Sequence, residues 1–223
     1  MRSLVRALLL GVAAAFSIGA APNWNTTVAL TNGGHLLGNP DAKVKLVAFV
    51  SYTCPHCAHF QQEADGAIRL GYVQQGKVSY EIRHFIRDPV DLTAAMLTNC
   101  GAPARFFQNH AAIMLSQDKW ARVFSSASKT QSGRWYNGEQ AARRRAIASD
   151  FGFYAIMEGR GYRRTDLDRC LNDNAMAARM AETTRADAEK YGLTGTPSFL
   201  LNGAFLLATS DWSSLRLQID ARL

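Results

Sequence analysis

Cys54-Pro55-His56-Cys57 constrains what this chain can fold into more than any other stretch. Two cysteines two residues apart can close a small disulfide, and a pair of this kind can be cycled. The preceding run, Val44-Lys45-Leu46-Val47-Ala48-Phe49-Val50-Ser51-Tyr52, reads as a buried strand. The residues that follow put Phe60, Ala64, Ala67, Ile68 and Tyr72 on one face at helical spacing. The pair is therefore expected where a strand hands over to a helix.

That location bears on acidity. The first turn of a helix has backbone N–H groups without partners and a partial positive end. A sulfur placed there is stabilised as the reactive thiolate, and such sites bring a thiol from about 8.5 into roughly the 3.5–7.5 range. Cys54, at the helix start, is the expected nucleophile. Cys57 lies one turn in and is the expected resolving thiol. His56 adds a donor or a positive charge near the Cys54 sulfur. Pro55 suits a first helical turn, where its missing N–H costs nothing.

The N-terminus reads as a targeting segment over residues 1–20. Met1 to Arg6 is short and basic, Ala7 to Ile18 is apolar but too short to span a bilayer, and Ile18-Gly19-Ala20 offers small residues for cleavage. No later stretch is apolar enough to span a membrane. Export to the periplasm is the expectation, and that compartment permits disulfides. Removing Arg2 and Arg6 with this segment takes the formal net charge from +7 to +5, a modest balance. The Arg143-Arg144-Arg145 run and the Arg163-Arg164 pair read as solvated helix faces, and no interleaving of basic and aromatic residues points to nucleic acid.

Four cysteines allow three pairings. Cys54 with Cys57 is the evident one, which leaves Cys100 and Cys170 either to each other, as a structural disulfide, or as two separate buried thiols.

Along the chain, Thr26 to Leu30 is an expected edge strand and Val44 to Val50 the central one. Val78, Tyr80 and Ile82 alternate with Ser79, Glu81 and Arg83 as a strand should. Asp88-Pro89 starts a helix that Gly101 and Pro103 stop. Only helical periodicity follows, to about Asp173. In that stretch Phe106, Phe107, His110, Ile113 and Met114 share a face, and Thr165 with Asp168 resembles a capping box before a short helix holding Cys170. Asn174 to Tyr191 reads as a long helix stopped by Gly192. Ser198 to Leu201 and Ala204 to Leu207 flank Asn202-Gly203, a strong hairpin signal. Ser210 or Asp211 caps a last helix carrying Trp212, Leu215 and Ile219.

These residues resemble the thioredoxin superfamily and, within it, the DsbA-like periplasmic disulfide oxidoreductases. The resemblance rests on Cys54-Pro55-His56-Cys57, on Gly195-Thr196-Pro197-Ser198-Phe199, and on the helical block between strands. It implies an α/β thioredoxin fold, with a mixed central sheet flanked by helices and an all-helical insertion. The implied division is a signal peptide over 1–20, a first fold segment over 21–87, the insertion over 88–173 and a second fold segment over 174–223. It also implies a cis peptide between Thr196 and Pro197, presenting the Thr196 backbone beside Cys54 to a substrate chain. Relatives carry a buried acid six positions before the first cysteine, where this chain has Ala48.

The function implied is a thiol oxidase that passes the Cys54–Cys57 disulfide to unfolded exported proteins. It would need no cofactor, act as a monomer and be reoxidised by a DsbB-like membrane partner. An isomerase or reductase of the same fold is the alternative. Thr196 favours it, since disulfide-shuffling relatives often have Thr before that proline. The roughly 23 residues between the expected cleavage point and the central strand oppose it, being too few for a dimerisation region. A third reading is a metal- or peptide-holding module. Against it, no second nearby pair joins Cys54, His56 and Cys57 to complete a zinc set, so no metal is expected, and Ala58 replaces the His of a haem-attachment motif.

Overall fold

The computed structural model describes residues 22–223, so the targeting segment read over 1–20 lies outside the described residues. Six strands form one mixed sheet: β1 (Val28–Leu30), β2 (Gly34–Leu37), β3 (Val44–Val50), β4 (Val78–His84), β5 (Ser198–Leu201) and β6 (Ala204–Phe205). Their order is β1-β2-β4-β3-β5-β6. Among the described residues only β3 and β4 run parallel, with Val44 beside Val78 and Val50 beside His84; the other pairs are antiparallel.

A parallel pair needs a crossover, and helix α1 (Pro55–Ile68) supplies it. β3 is covered on both faces. Val44, Leu46, Ala48 and Val50 join Phe60, Ala64 and Ile68 of α1 in the main buried cluster, while Phe49 meets Leu193 and Leu200 on the other side. A central strand buried on both faces reads as a near-continuous apolar run, which is why its limits are legible in the sequence.

Between β4 and the long helix come α2 (Pro89–Thr98), α3 (Phe106–Met114), the short turns α4 (Gln117–Trp120) and α5 (Val123–Ser126), then α6 (Lys129–Tyr136), α7 (Gln140–Asp150), α8 (Phe153–Glu158) and α9 (Arg164–Asn172). Their apolar residues, among them Val90, Leu97, Phe106, Ile147, Phe153 and Leu167, belong to the same buried cluster as the sheet. α10 (Asn174–Tyr191) ends at Gly192, whose φ of 65° is the left-handed conformation that a glycine stop supplies. α11 (Trp212–Asp220) closes the fold, capped by the Asp211 side chain on the Ser214 N–H.

Several expectations differ in detail. β2 is an addition, because Gly34-His35-Leu36-Leu37 is too short to show alternation; its partner β4 secures it through Leu37 opposite Tyr80. The first strand is shorter than expected, since Trp24–Thr26 forms a 3-10 turn. β6 stops at Phe205 rather than Leu207. Thr165 caps nothing: α9 begins at Arg164 and its preceding residue makes no side-chain cap. Arg144 is not solvated. It is 4% exposed and donates from Nε to the Leu171 carbonyl and from Nη2 to Asn174.

Cys100 and Cys170 are joined as a disulfide, tying the end of α2 to α9 across a sequence separation of 70 residues.

Candidate active site

The local sequence places a cysteine at the mouth of α1. Cys54 is the residue before the helix, in extended conformation (φ −93°, ψ 117°), and Pro55 occupies the first turn. Proline has its φ pre-set for that position and no N–H to leave unpaired. The side chain at Cys54 therefore sits over the helix start. Its carbonyl accepts from the N–H groups of Cys57 and Ala58, at 3.1 and 3.3 Å.

The Cys54 thiol is held far below the ordinary range, to about 4. The largest cause is a hydrogen bond from the Cys57 thiol, opposed by burial, then helped by the Thr196 hydroxyl and by the backbone N–H groups of Cys57 and His56. Cys57 moves the other way. Burial pushes its thiol up, and a thiolate at Cys54 pushes it further. The pair thus shares one proton, which stays on Cys57. Both cysteines are free thiols, only 2% and 1% exposed. The adjoining Pro55 and His56 are exposed, so the Cys54 sulfur lies just beneath the surface.

His56 is exposed, and its backbone N–H is one of the donors that lower the Cys54 thiol.

Thr196 arrives from the other end of the chain. The peptide between Thr196 and Pro197 is cis. The protonated Cys54 Sγ donates to the Thr196 carbonyl at 3.2 Å. The Thr196 hydroxyl oxygen is buried and, among the described residues, faces the two thiols without a geometric hydrogen bond to any group. Once Cys54 loses its proton, that hydroxyl is the group free to donate to the sulfur.

Ala48 is fully buried on β3, as the register with Ile82 and Phe199 requires. The acid that the structure brings to the motif stands on α2 instead. Asp91 is 0% exposed and, among the described residues, has no cation beside it. It accepts from Ser51 Oγ at 2.6 Å, from the Tyr52 N–H at 2.7 Å and from the Arg87 N–H at 3.0 Å. Ser51 in turn donates its N–H to Cys57 Sγ at 3.5 Å. Burial raises the Asp91 carboxyl to about 7, partly offset by these donors. Gln117 on α4 also reaches the motif, donating from Nε2 to the carbonyls of Tyr52 and Cys54. Sequence reasoning finds neither Asp91 nor Gln117. Asp88-Pro89 marks the helix start, but nothing in spacing shows that a residue one turn on points at the reactive loop.

No group of three or more His, Cys, Asp or Glu side chains among the described residues could hold a metal ion. The site's chemistry is that of two thiols with unequal acidity. One sulfur is ready to be attacked or to leave; the other is protonated, close and able to displace a partner from it.

Comparisons with known proteins point the same way. The family model described as Thioredoxin matches residues 30–221. The chain is 31% identical over 178 residues to a Rickettsia typhi protein named as a candidate protein-disulfide oxidoreductase, covering 79% of this chain and 57% of that one. It therefore spans little more than half the length of the curated relatives it matches. Among solved structures, a protein-disulfide isomerase from Novosphingobium aromaticivorans is 51% identical, with a TM-score of 0.83 over 86% of this chain and 98% of that one. The α-DsbA1 protein of Wolbachia pipientis shares the fold at 23% identity, with a TM-score of 0.68 over 90% of this chain and 95% of that one. The paired thiols at a helix start, the facing Thr196-Pro197 turn and the match over nearly all described residues together place this chain in the thioredoxin family, with the DsbA-like form of its fold.

Proposed function

We propose that this protein is a thiol:disulfide oxidoreductase that donates the Cys54–Cys57 disulfide to exported proteins. A thiolate of the substrate attacks Cys54 Sγ and breaks the Cys54–Cys57 bond, leaving a mixed disulfide and a Cys57 thiol. A second substrate thiolate then attacks the substrate sulfur of that mixed disulfide, and Cys54 leaves. The substrate is oxidised by two electrons, and the enzyme is reduced by two. The observation that carries this reading is the heightened acidity of Cys54, whose pKa is lowered to about 4. Whatever stabilises the reduced enzyme's thiolate makes its disulfide the stronger oxidant.

The compartment follows from chemistry and sequence together. A strong oxidant has work to do where proteins acquire disulfides, and the basic-apolar-small pattern of residues 1–20 supports export to the periplasm. The paired Cys100 and Cys170 agree with an oxidising compartment. Turnover there calls for a membrane-bound reoxidant resembling DsbB, and the monomer is the proposed working unit.

A second reading is isomerisation. Thr196 before the proline favours it, and so does the likeness to the Novosphingobium protein, which is named as an isomerase. A redox titration in glutathione buffers separates the two. A potential well above about −180 mV supports disulfide donation, one of about −180 mV, as for a protein disulfide isomerase, supports isomerisation, and one of about −270 mV, as for a thioredoxin-type reductant, defeats donation.

A further inference from the structure

The four residues that lead from β3 into α1 are gripped by side chains from one place. Ser51 Oγ donates to Asp91 at 2.6 Å, and the Tyr52 N–H donates to the same carboxylate at 2.7 Å. Thr53 Oγ1 donates to Asp88 at 2.6 Å and lies 3.2 Å from Ser51 Oγ. The Tyr52 and Cys54 carbonyls both accept from Gln117 Nε2. Asp88 and Asp91 belong to the start of α2, and Gln117 opens α4. Every residue from 51 to 54 is therefore held by the helical stretch between β4 and α10, and none of these grips comes from the sheet.

Gln117 is the central member. It is 7% exposed. Among the described residues no other donor reaches the Tyr52 carbonyl. Its amide nitrogen is the only end that fits, because its oxygen would face two carbonyl acceptors. Gln117 touches neither sulfur. It bonds the backbone oxygen of the residue that carries the nucleophile, two covalent bonds from the Cα that aims Sγ at the helix start.

We infer that Gln117, backed by Asp88 and Asp91, is a positioning residue for the Cys54 thiolate: the helical stretch clamps the loop 51–54 so that the sulfur stays against the N–H groups of α1. The inference rests on the reading of Cys54 as the reactive thiol. The clamp matters because Cys54 is bonded in turn to Cys57, to nothing and to a substrate polypeptide that can pull on it. A loop free to shift would carry the sulfur away from donors whose effect falls off within one turn.

The test uses the full mature protein, reduced, with the pH dependence of Cys54 alkylation as the readout. Gln117→Leu removes the two donated bonds at similar volume and without any change of charge. Its alkylation midpoint should rise by about one pH unit, which lowers the thiolate fraction about tenfold at pH below both midpoints. An unmoved midpoint in folded Gln117→Leu, even with a lowered melting temperature, overturns the inference, because a purely structural role changes stability alone. Should Gln117→Leu not fold, Thr53→Val decides. It deletes only the hydroxyl that Asp88 grips at a half-buried site, and a rise in the midpoint supports the clamp while none overturns it. The two readings fail differently. A wild-type midpoint near 8.5 removes the oxidoreductase proposal and this inference with it, whereas a low wild-type midpoint shared by the variants removes the clamp alone.

Discussion

Cys54 Sγ lies 3.2 Å from the carbonyl oxygen of Thr196, a residue 142 positions further along the chain. The contact exists because β5 pairs with β3, Ala48 beside Phe199, which sets the turn before β5 next to the end of β3. Sheet register thus assembles the site: the end of β3 leads into the helix start, and the strand paired along its β5 edge supplies the facing turn. A peptide that bonded the Thr196 backbone would lay its own sulfur beside Cys54, by the rules that pair one strand with another.

The acidity of Cys54 gives the most direct test. Reduced protein should be alkylated at Cys54 with a midpoint near 4, well before Cys57 reacts. The sign for stability follows. A folded pKa below the unfolded one contributes stability that is present at high pH and lost as pH falls through about 4. The disulfide form has no such proton. Reduced protein should therefore gain stability relative to oxidised protein as pH rises from 4 toward neutrality, measured as the difference in urea midpoints. A constant difference across that range would contradict the assignment.

Thr196→Val tests the facing turn. Valine keeps the branched shape and loses only the hydroxyl that faces the two thiols. A hydrogen bond to a charged group contributes roughly 1.5–3 kcal/mol, so the Cys54 midpoint should rise by roughly one to two units. Oxidation of a reduced test protein should slow accordingly, and the variant should become a weaker oxidant in glutathione buffers. A midpoint that stays at the wild-type value would show that the hydroxyl does not serve the thiolate.

Much of this is legible in the sequence, for identifiable reasons. β3 and α10 show their observed limits because one is apolar but for Lys45 and the other ends at a left-handed glycine. The Cys54 position follows from a proline that only a first helical turn suits. What stays hidden depends on tertiary register. β2 is four residues long and is held by β4 rather than by its own pattern. Arg144 looks like one of three surface arginines until α7 packs against the end of α9 and turns its guanidinium toward the Leu171 carbonyl. Asp91 and Gln117 are ordinary polar residues in helical text, and only the packing of α2 and α4 on the loop 51–54 makes them part of the site.

The Cys100–Cys170 bond should stabilise without taking part in turnover. It closes a loop with a sequence separation of 70 residues, for which chain entropy gives about 4 kcal/mol. Replacing both cysteines by alanine should lower the unfolding free energy by that order. The rate of oxidising a test protein at low temperature should stay near wild type, because both sulfurs are held in their own bond while Cys54 and Cys57 are the free thiols. A loss of rate with the fold intact would mean that the bond carries a redox step of its own.

Asp91 makes a separate pH signature. Its carboxyl is raised to about 7 by burial, against about 3.8 for an exposed aspartate. A raised acid contributes stability that is fully present below the unfolded value and lost as pH rises through about 7. Three buried histidines slope the other way. His35, His84 and His110 are pushed down by burial to about 4, 3 and 3, so their contribution is lost as pH falls. The sum hides each part, so the comparison must be with Asp91→Asn. Asparagine has no proton to gain, although it leaves one of the three donors at this position unsatisfied, which lowers stability at every pH. Between pH 4 and 8 the advantage of wild type over Asp91→Asn should shrink by a few kcal/mol, read from denaturant midpoints at fixed salt. A gap that holds steady across that range would mean the carboxylate is ionised throughout, and that the Ser51, Tyr52 and Arg87 donors offset its burial completely.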